Sequence, residues 1–458
     1  MFGLGLSEYF PYGIYGLSFL VAFFALFYRS EIGILFIASL LPVYSIVNKT
    51  LKLELIFAKD IFDILIIAML LGWLFQQNKK NQEHPIGHSP ILIPVFLFIG
   101  YSLFSYFIGS SYLGHGFLDI ENQRLALWKN YITMPVLYLI SYYNLRERKW
   151  KYLLLILLFF SFLAMDFKFR QSFSWVKSYH FQEKSRLAGT LGYLGPNEWG
   201  SFHTIYTLFI IGLFLVDKNL WRRIAYSILI IGGIYSLMYS FSRGAYFGFV
   251  AGLFFISFIK SRKLLILLIV FLLFWKIVVP VSVVERVEGI FVEKEGENVV
   301  SIGEKGVDTS GRKHLWDKAL NLFYENPIFG TGFNAYYFLI GADTHNVYLK
   351  ILSEQGIIGF FIYLGLYFFA LMSGWRLYRR ADEQFLKALG FGFLCAVVGS
   401  IVVNFFGDRW TYLQIGGLYW IFWALVDQEN SRLNLIHQNN KESKAIKKGD
   451  SLVPQTLL

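Results

Sequence analysis

The chain of 458 residues is 56% hydrophobic and 19% aromatic, with a mean hydropathy of +0.50 and a formal net charge of +11. This apolar mass excludes an ordinary soluble globule and points to an all-α polytopic membrane protein, because open strands cannot satisfy their backbone in lipid. The positive charge falls mostly in short loops between apolar runs, which excludes a nucleic-acid partner, and the single Cys395 excludes an intrachain disulfide or a cysteine metal site.

No basic segment with a small-residue cleavage site precedes the first apolar run, so the first spanning helix is expected to act as its own insertion signal. Apolar runs predict spanning helices at about 12–28, 31–47, 58–76, 89–109, 125–143, 150–166, 196–216, 221–240, 244–260, 263–283, 347–373, 385–406 and 410–426, about twelve or thirteen in all. Basic clusters at Lys79-Lys80, Arg146/Arg148/Lys149/Lys151, Arg222-Arg223, Lys260/Arg262/Lys263 and Arg376/Arg379/Arg380 all fall on one side of that map. The positive-inside rule makes this side cytoplasmic. Residues 1–427 thus read as one transmembrane domain, and the polar, lysine-bearing stretch 428–458 as a disordered cytoplasmic tail.

The other loops face outward, and two are long, at about 167–195 and about 284–346. The second has an acidic, glycine-bearing stretch of Glu293, Glu295, Glu297, Gly303 and Gly306, in which the three glutamates read as a solvated turn. A helix follows, with Ser310 as its cap and an apolar stripe of Leu315, Trp316, Ala319, Leu320 and Phe323; Pro327 ends it. This helix is expected to lie over the membrane domain, apolar face down.

Four groups converge on the outward face. Arg186 precedes a spanning helix, Arg243 lies in the short turn Ser242-Arg243-Gly244, Arg312 begins the outer helix, and His345 closes the long loop. Guanidinium forks bind phosphate oxygens bidentately at any working pH, and a neutral imidazole beside them can take a proton from a hydroxyl. Taken singly, an outer arginine is more often a solvated or headgroup contact, and a lone histidine at a helix start a cap; the convergence favours function. Glu354 follows His345 by about 900° of ideal helix, so the two do not form a simple dyad. Gly356 and Gly359 read as close helix packing, His203 as a possible cavity group, Asp63 as a partner of Lys59, and Arg124, Lys129 and Lys276 as snorkelling side chains. Scattered carboxylates with no Asp-x-Asp pair give no metal site, and no Walker loop points to ATP; no cofactor is expected.

Four stretches together carry a resemblance. They are Arg186…Gly189…Pro196-Asn197, Ser242-Arg243-Gly244, Gly311-Arg312…Trp316…Asn326-Pro327-Ile328-Phe329-Gly330-Thr331-Gly332, and His345-Asn346…Leu349…Glu354…Gly356…Gly359. In order and topology, over roughly 180–375, the chain resembles the O-antigen ligase and O-antigen polymerase superfamily of bacterial surface-glycan enzymes. The resemblance implies about twelve membrane helices in the inner membrane, with a periplasmic loop carrying the active site. It implies metal-independent, inverting glycosyl transfer from an undecaprenyl-pyrophosphate-linked donor. The acceptor would be lipid A-core in a ligase and another lipid-linked repeat unit in a polymerase. His345 would be the catalytic base or acceptor-orienting group. Arg186, Arg312 and, more weakly, Arg243 would engage the pyrophosphate, with Asn346, Glu354, Asn197 and Trp316 in support. A single long outer loop near the C-terminal third, with a short preceding turn at Arg243, leans towards the ligase. A lipid-linked glycan transporter is the competing class, yet transporters gather charges near the midplane, whereas here polar groups gather at one surface. A non-catalytic envelope scaffold is a third.

Overall fold

A computed structural model describes residues 10–43, 61–83, 87–116, 123–173, 179–289, 291–292, 299–302, 305–308 and 311–450. Each apolar run closes its own backbone hydrogen bonds as a helix. In chain order these are α1 (Phe10–Phe27), α2 (Ser30–Leu40), α3 (Ile61–Glu83), α4 (Leu92–Leu113), α5 (Gln123–Asn144), α6 (Arg148–Ser172), α7 (Pro196–Val216), α8 (Leu220–Met238), α9 (Arg243–Lys260) and α10 (Arg262–Val278). The outer loop holds α11 (Val281–Glu288), α12 (Lys313–Glu325) and α13 (Ala335–Ile340), and the chain continues with α14 (Val347–Arg380), α15 (Gln384–Val403) and α16 (Leu413–Asp450).

The protein is an all-α, multi-pass membrane protein. Among the described residues, six helices are long and apolar enough to cross a membrane: α4, α6, α7, α9, α14 and the α15 stretch to Phe406. α10 and α11 make a seventh if the 109° bend between them lies within one span. α3, α5, α8 and α16 have the length but are more polar, so the twelve or thirteen expected segments are fewer when counted as apolar spans. α7 and α15 are the most enclosed, and their backbones touch where Gly212 meets Gly392.

The outer loop also holds strands that the sequence did not reveal: Phe291–Val292, Val299–Ile302 and Lys305–Asp308 pair as β1, β2 and β3 of an antiparallel sheet ordered β1-β3-β2, with Val300 opposite Val307. Glu293, Glu295, Glu297 and Gly303 lie outside the described residues. One expectation fails. The tail expected to be disordered from Gln428 instead continues α16 to Asp450. Its first residues are buried among polar partners. Gln428 donates to the Tyr142 carbonyl at 2.6 Å, Asn430 to the Ser373 carbonyl at 3.0 Å, and Lys151 pairs with Glu429. Sequence composition alone does not reveal such partners.

Four basic clusters meet at one end of the bundle. Arg148 pairs with Glu383 at 2.7 Å, Arg222 sits 5.1 Å over Phe385, Lys260 lies 5.7 Å over Tyr378, and Arg380 donates to Asn434. The outer loop lies at the opposite end.

Candidate active site

The site rests on a break in α14. Gly356 has φ +62° and ψ −167°, which interrupts the helix and frees the carbonyls of Ser353 and Glu354. The Gly330-Thr331-Gly332 turn takes them up: Thr331 N–H donates to Ser353 O at 2.9 Å and Gly332 N–H to Glu354 O at 2.7 Å, while Ile357 N–H turns to Pro327 O. A Cβ at Gly356 would stand 2.2 Å from the Ile328 carbonyl oxygen, so this glycine serves a loop contact and not the helix packing expected of it. Gly332, at φ +102°, passes within reach of Gly109 on α4 in the same way. Arg124, expected to snorkel, is fully buried and ties this turn to α4. Its guanidinium donates to Phe333 O at 2.7 Å and to Ser110 Oγ at 3.0 Å, under the ring of Tyr106. Glu354 faces inward as well, its Oε2 accepting from Asn334 N–H at 2.9 Å.

His345 sits at the next corner. Trp316 of α12 donates its indole N–H to Thr344 O at 3.0 Å, and Asn346 caps α14 by accepting from the N–H groups of Tyr348 and Leu349. Between these anchors His345 is held at φ +51°, its side chain 49% exposed. Its Nδ1 lies 3.9 Å from Asp343 Oδ2, too long for a hydrogen bond but within range of the charge. Asp343 also meets Lys350 at 3.5 Å, and Lys350 pairs with Asp408 at 2.9 Å.

The arginines form the facing group. Arg186 donates to Glu183 and to Asn197, both at 2.5 Å. Next to Asn197, Glu198 pairs with Arg409, whose Nε also donates to Ser201 at 3.0 Å. Arg286 on α11 donates to the Phe241 carbonyl at 3.1 Å and so braces the tight turn that presents Arg243; Arg243 itself reaches Gly289 O at 3.3 Å. Arg312 lies among them. Burial first, then the charges of Arg409, Arg243 and Arg186 against that of Glu198, lower its pKa to about 10, which leaves it protonated at neutral pH. Burial pushes the Glu183 carboxyl up, but the bond from Arg186 and the charges of Arg186, Arg286 and Arg243 outweigh this and hold it below its ordinary range. His345 falls below its usual 6.5. Burial is the main cause, Arg312 and Arg409 add to it, and Asp343 and Glu198 oppose it. The imidazole is therefore mostly neutral at pH 7. Arg186, Arg243, Arg312 and His345, picked from sequence, thus share one electrostatic neighbourhood.

Sequence reading missed Arg286, Arg409, Glu198, Asp343, Lys350 and Asp408. The signal for two of them was present, since Asp408-Arg409 occupies a short outer turn between the last two expected spans, the setting that singled out Arg243. Other residues lie apart. His203 faces Asp166 at 3.5 Å inside the bundle, Lys129 pairs with Asp63 at 2.6 Å, and Lys276 pairs with Glu288 across the α10–α11 bend; Ser310 and Lys59 are outside the described residues. Among the described residues no group of three or more His, Cys, Asp or Glu is placed to hold a metal ion.

Residues 227–364 match the family model described as O-antigen ligase. No curated protein matches the chain. The matched span runs from within α8 through the outer loop to the middle of α14, and so contains Arg243, Arg286, Arg312, Trp316, His345, Asn346 and Glu354. Over residues 227–364, less than half of its length, the chain is thus similar to the O-antigen ligase family.

Proposed function

We propose that the protein is a glycosyltransferase of the bacterial inner membrane that moves a glycan from an undecaprenyl-pyrophosphate donor onto lipid A-core at the periplasmic face. The observation that carries this reading is the gathering of Arg186, Arg243, Arg286, Arg312 and Arg409 around a half-exposed, neutral-leaning His345. So many like charges in one partly buried place call for a polyanion, and a diphosphate supplies one.

The reaction follows from these groups. The acceptor hydroxyl oxygen attacks the anomeric carbon, and its proton passes to the free imidazole nitrogen of His345. The bond from the anomeric carbon to the diphosphate oxygen breaks with its electron pair, inverting the centre. The arginines stabilise the departing undecaprenyl pyrophosphate in a poorly solvated cleft, and no metal ion takes part. Asn346 and Trp316 hold the His345 corner, Glu354 holds the neighbouring Asn334 turn, and Asn197 holds Arg186.

Purified protein with lipid-linked donor and lipid A-core provides the test. His345→Ala is expected to lose transfer, about 10²-fold or more, while donor binding persists. Full activity in that variant would remove the base assignment. Polymerisation of repeat units is the second reading, because the matched family joins both activities under the same chemistry. A deletion strain that accumulates unattached lipid-linked polymer means ligase, and one that shows single repeats on the acceptor means polymerase.

A further inference from the structure

Beside the His345 corner lies a partly open cavity of about 240 Å³, bounded by α3, α5, the Phe333–Asn334 turn, the start of α14 and the segment 408–414. The His345 reaction described above does not use it. Two of its three carboxyls are already neutralised in pairs, Asp63 with Lys129 at 2.6 Å and Asp408 with Lys350 at 2.9 Å, and the third, Glu354, accepts from Asn334 N–H. Such pairing leaves little attraction for a free ion of either sign. Three polar atoms on its wall have no partner, the Nδ2 of Asn334, the Oε1 of Glu354 and the hydroxyl of Tyr131, in residues only 6%, 1% and 3% exposed. A buried donor and a buried acceptor left open are normally satisfied by something. A hydroxyl group can do both, accepting from Asn334 and donating to Glu354. Tyr131 and Tyr412 add broad apolar faces to the same wall, which suit the body of a ring better than water alone. The volume falls just under the ~300 Å³ at which drug-sized sites begin, so the space takes one ring and not a chain.

We propose that this cavity is a monosaccharide subsite, in which Asn334 and Glu354 hold the hydroxyls of one neutral sugar ring. The origin of the sugar, but not its binding, rests on the glycan-transfer reading. It belongs either to the acceptor or to the donor glycan. Lys350 joins the cavity to Asp343 and thus to the His345 loop, so an occupied subsite would fix a glycan beside the imidazole.

The full-length protein in detergent is titrated with methyl glycosides of a hexose, an N-acetylhexosamine and a heptose by saturation-transfer NMR. At least one is expected to bind saturably. Asn334→Asp replaces the open donor yet tolerates the left-handed backbone of that residue (φ +56°), and Asn130→Trp blocks the cavity from an exposed position. Each is expected to weaken binding about tenfold or more at an unchanged melting temperature. Binding should persist in His345→Ala, which separates failure of the subsite from failure of the transfer reading. Displacement of the probe by delipidated core oligosaccharide assigns the subsite to the acceptor, and displacement by released repeat unit assigns it to the donor. No saturable binding by any probe, unchanged affinity in both variants, or displacement by neither glycan overturns the proposal.

Discussion

In the proposed reaction His345 can act as a base only while its imidazole is neutral, and its surroundings set where that holds. Burial and the two nearby guanidiniums keep its pKa under 6.5, and Asp343 pulls it back up. The rate of glycan transfer is therefore expected to be level near neutral pH and to fall as acid protonates the ring. Arg312→Gln removes a repelling cation, so the acid limb of the pH–rate profile should move to higher pH. Asp343→Asn removes an attracting anion and should move it to lower pH. Parallel shifts in both variants, or none, would show that another group titrates. Arg312→Lys keeps the charge but loses the fork, and should restore donor binding only in part. At this scale Arg186 and Arg243 were legible because each stood at the mouth of an apolar run, and Arg312 because it begins the outer helix, whereas Arg286 and Arg409 were passed over. Arg124 was not legible, since burial under Tyr106 depends on a turn more than two hundred residues away.

At the scale of the element, the broken α14 carries the geometry. Gly356→Ala would place a methyl 2.2 Å from a carbonyl oxygen at a left-handed φ of +62°, a strain of about 1–3 kcal/mol even before the loop moves. A lower melting temperature together with weakened transfer is expected, and a variant as stable and active as the parent would refute the role given to the break. Asn346→Ala removes a cap that serves two N–H groups and should cost about 1 kcal/mol in chemical unfolding. The amphipathic α12 could be read from its stripe, and Leu315 and Ala319 are indeed its buried face. The small β-sheet could not, because strands of two to four residues owe their existence to pairing across a loop and leave no alternating pattern of useful length.

Across the whole molecule, the two ends have opposite characters. One end gathers basic side chains against α14, α15 and α16, and buries Lys151 with Glu429 at 7% and 0% side-chain exposure. Removing one partner of such a pair leaves an uncompensated charge, so Glu429→Ala should destabilise by about 3–5 kcal/mol. Lys151→Met combined with Glu429→Leu should recover most of that loss, measured by thermal unfolding in detergent. Additive losses would mean that the pair is not coupled. The general class of the chain was legible from hydropathy. The buried start of α16 was not, because polar residues read alike whether they meet water or one another.

The acid–base ties around His345 cross the borders of the matched domain. Glu198 with Arg409 joins segments that lie on either side of it in the chain, and Asp408 with Lys350 ties it to the segment that follows. A transplant of 227–364 into the scaffold of a foreign homologue would deliver the imidazole and three of the guanidiniums, but leave Lys350 without Asp408. Such hybrids should be inert unless the recipient supplies its own counterparts to Glu198, Asp408 and Arg409, which makes the entire bundle, and not the recognisable segment, the smallest portable unit of this chemistry.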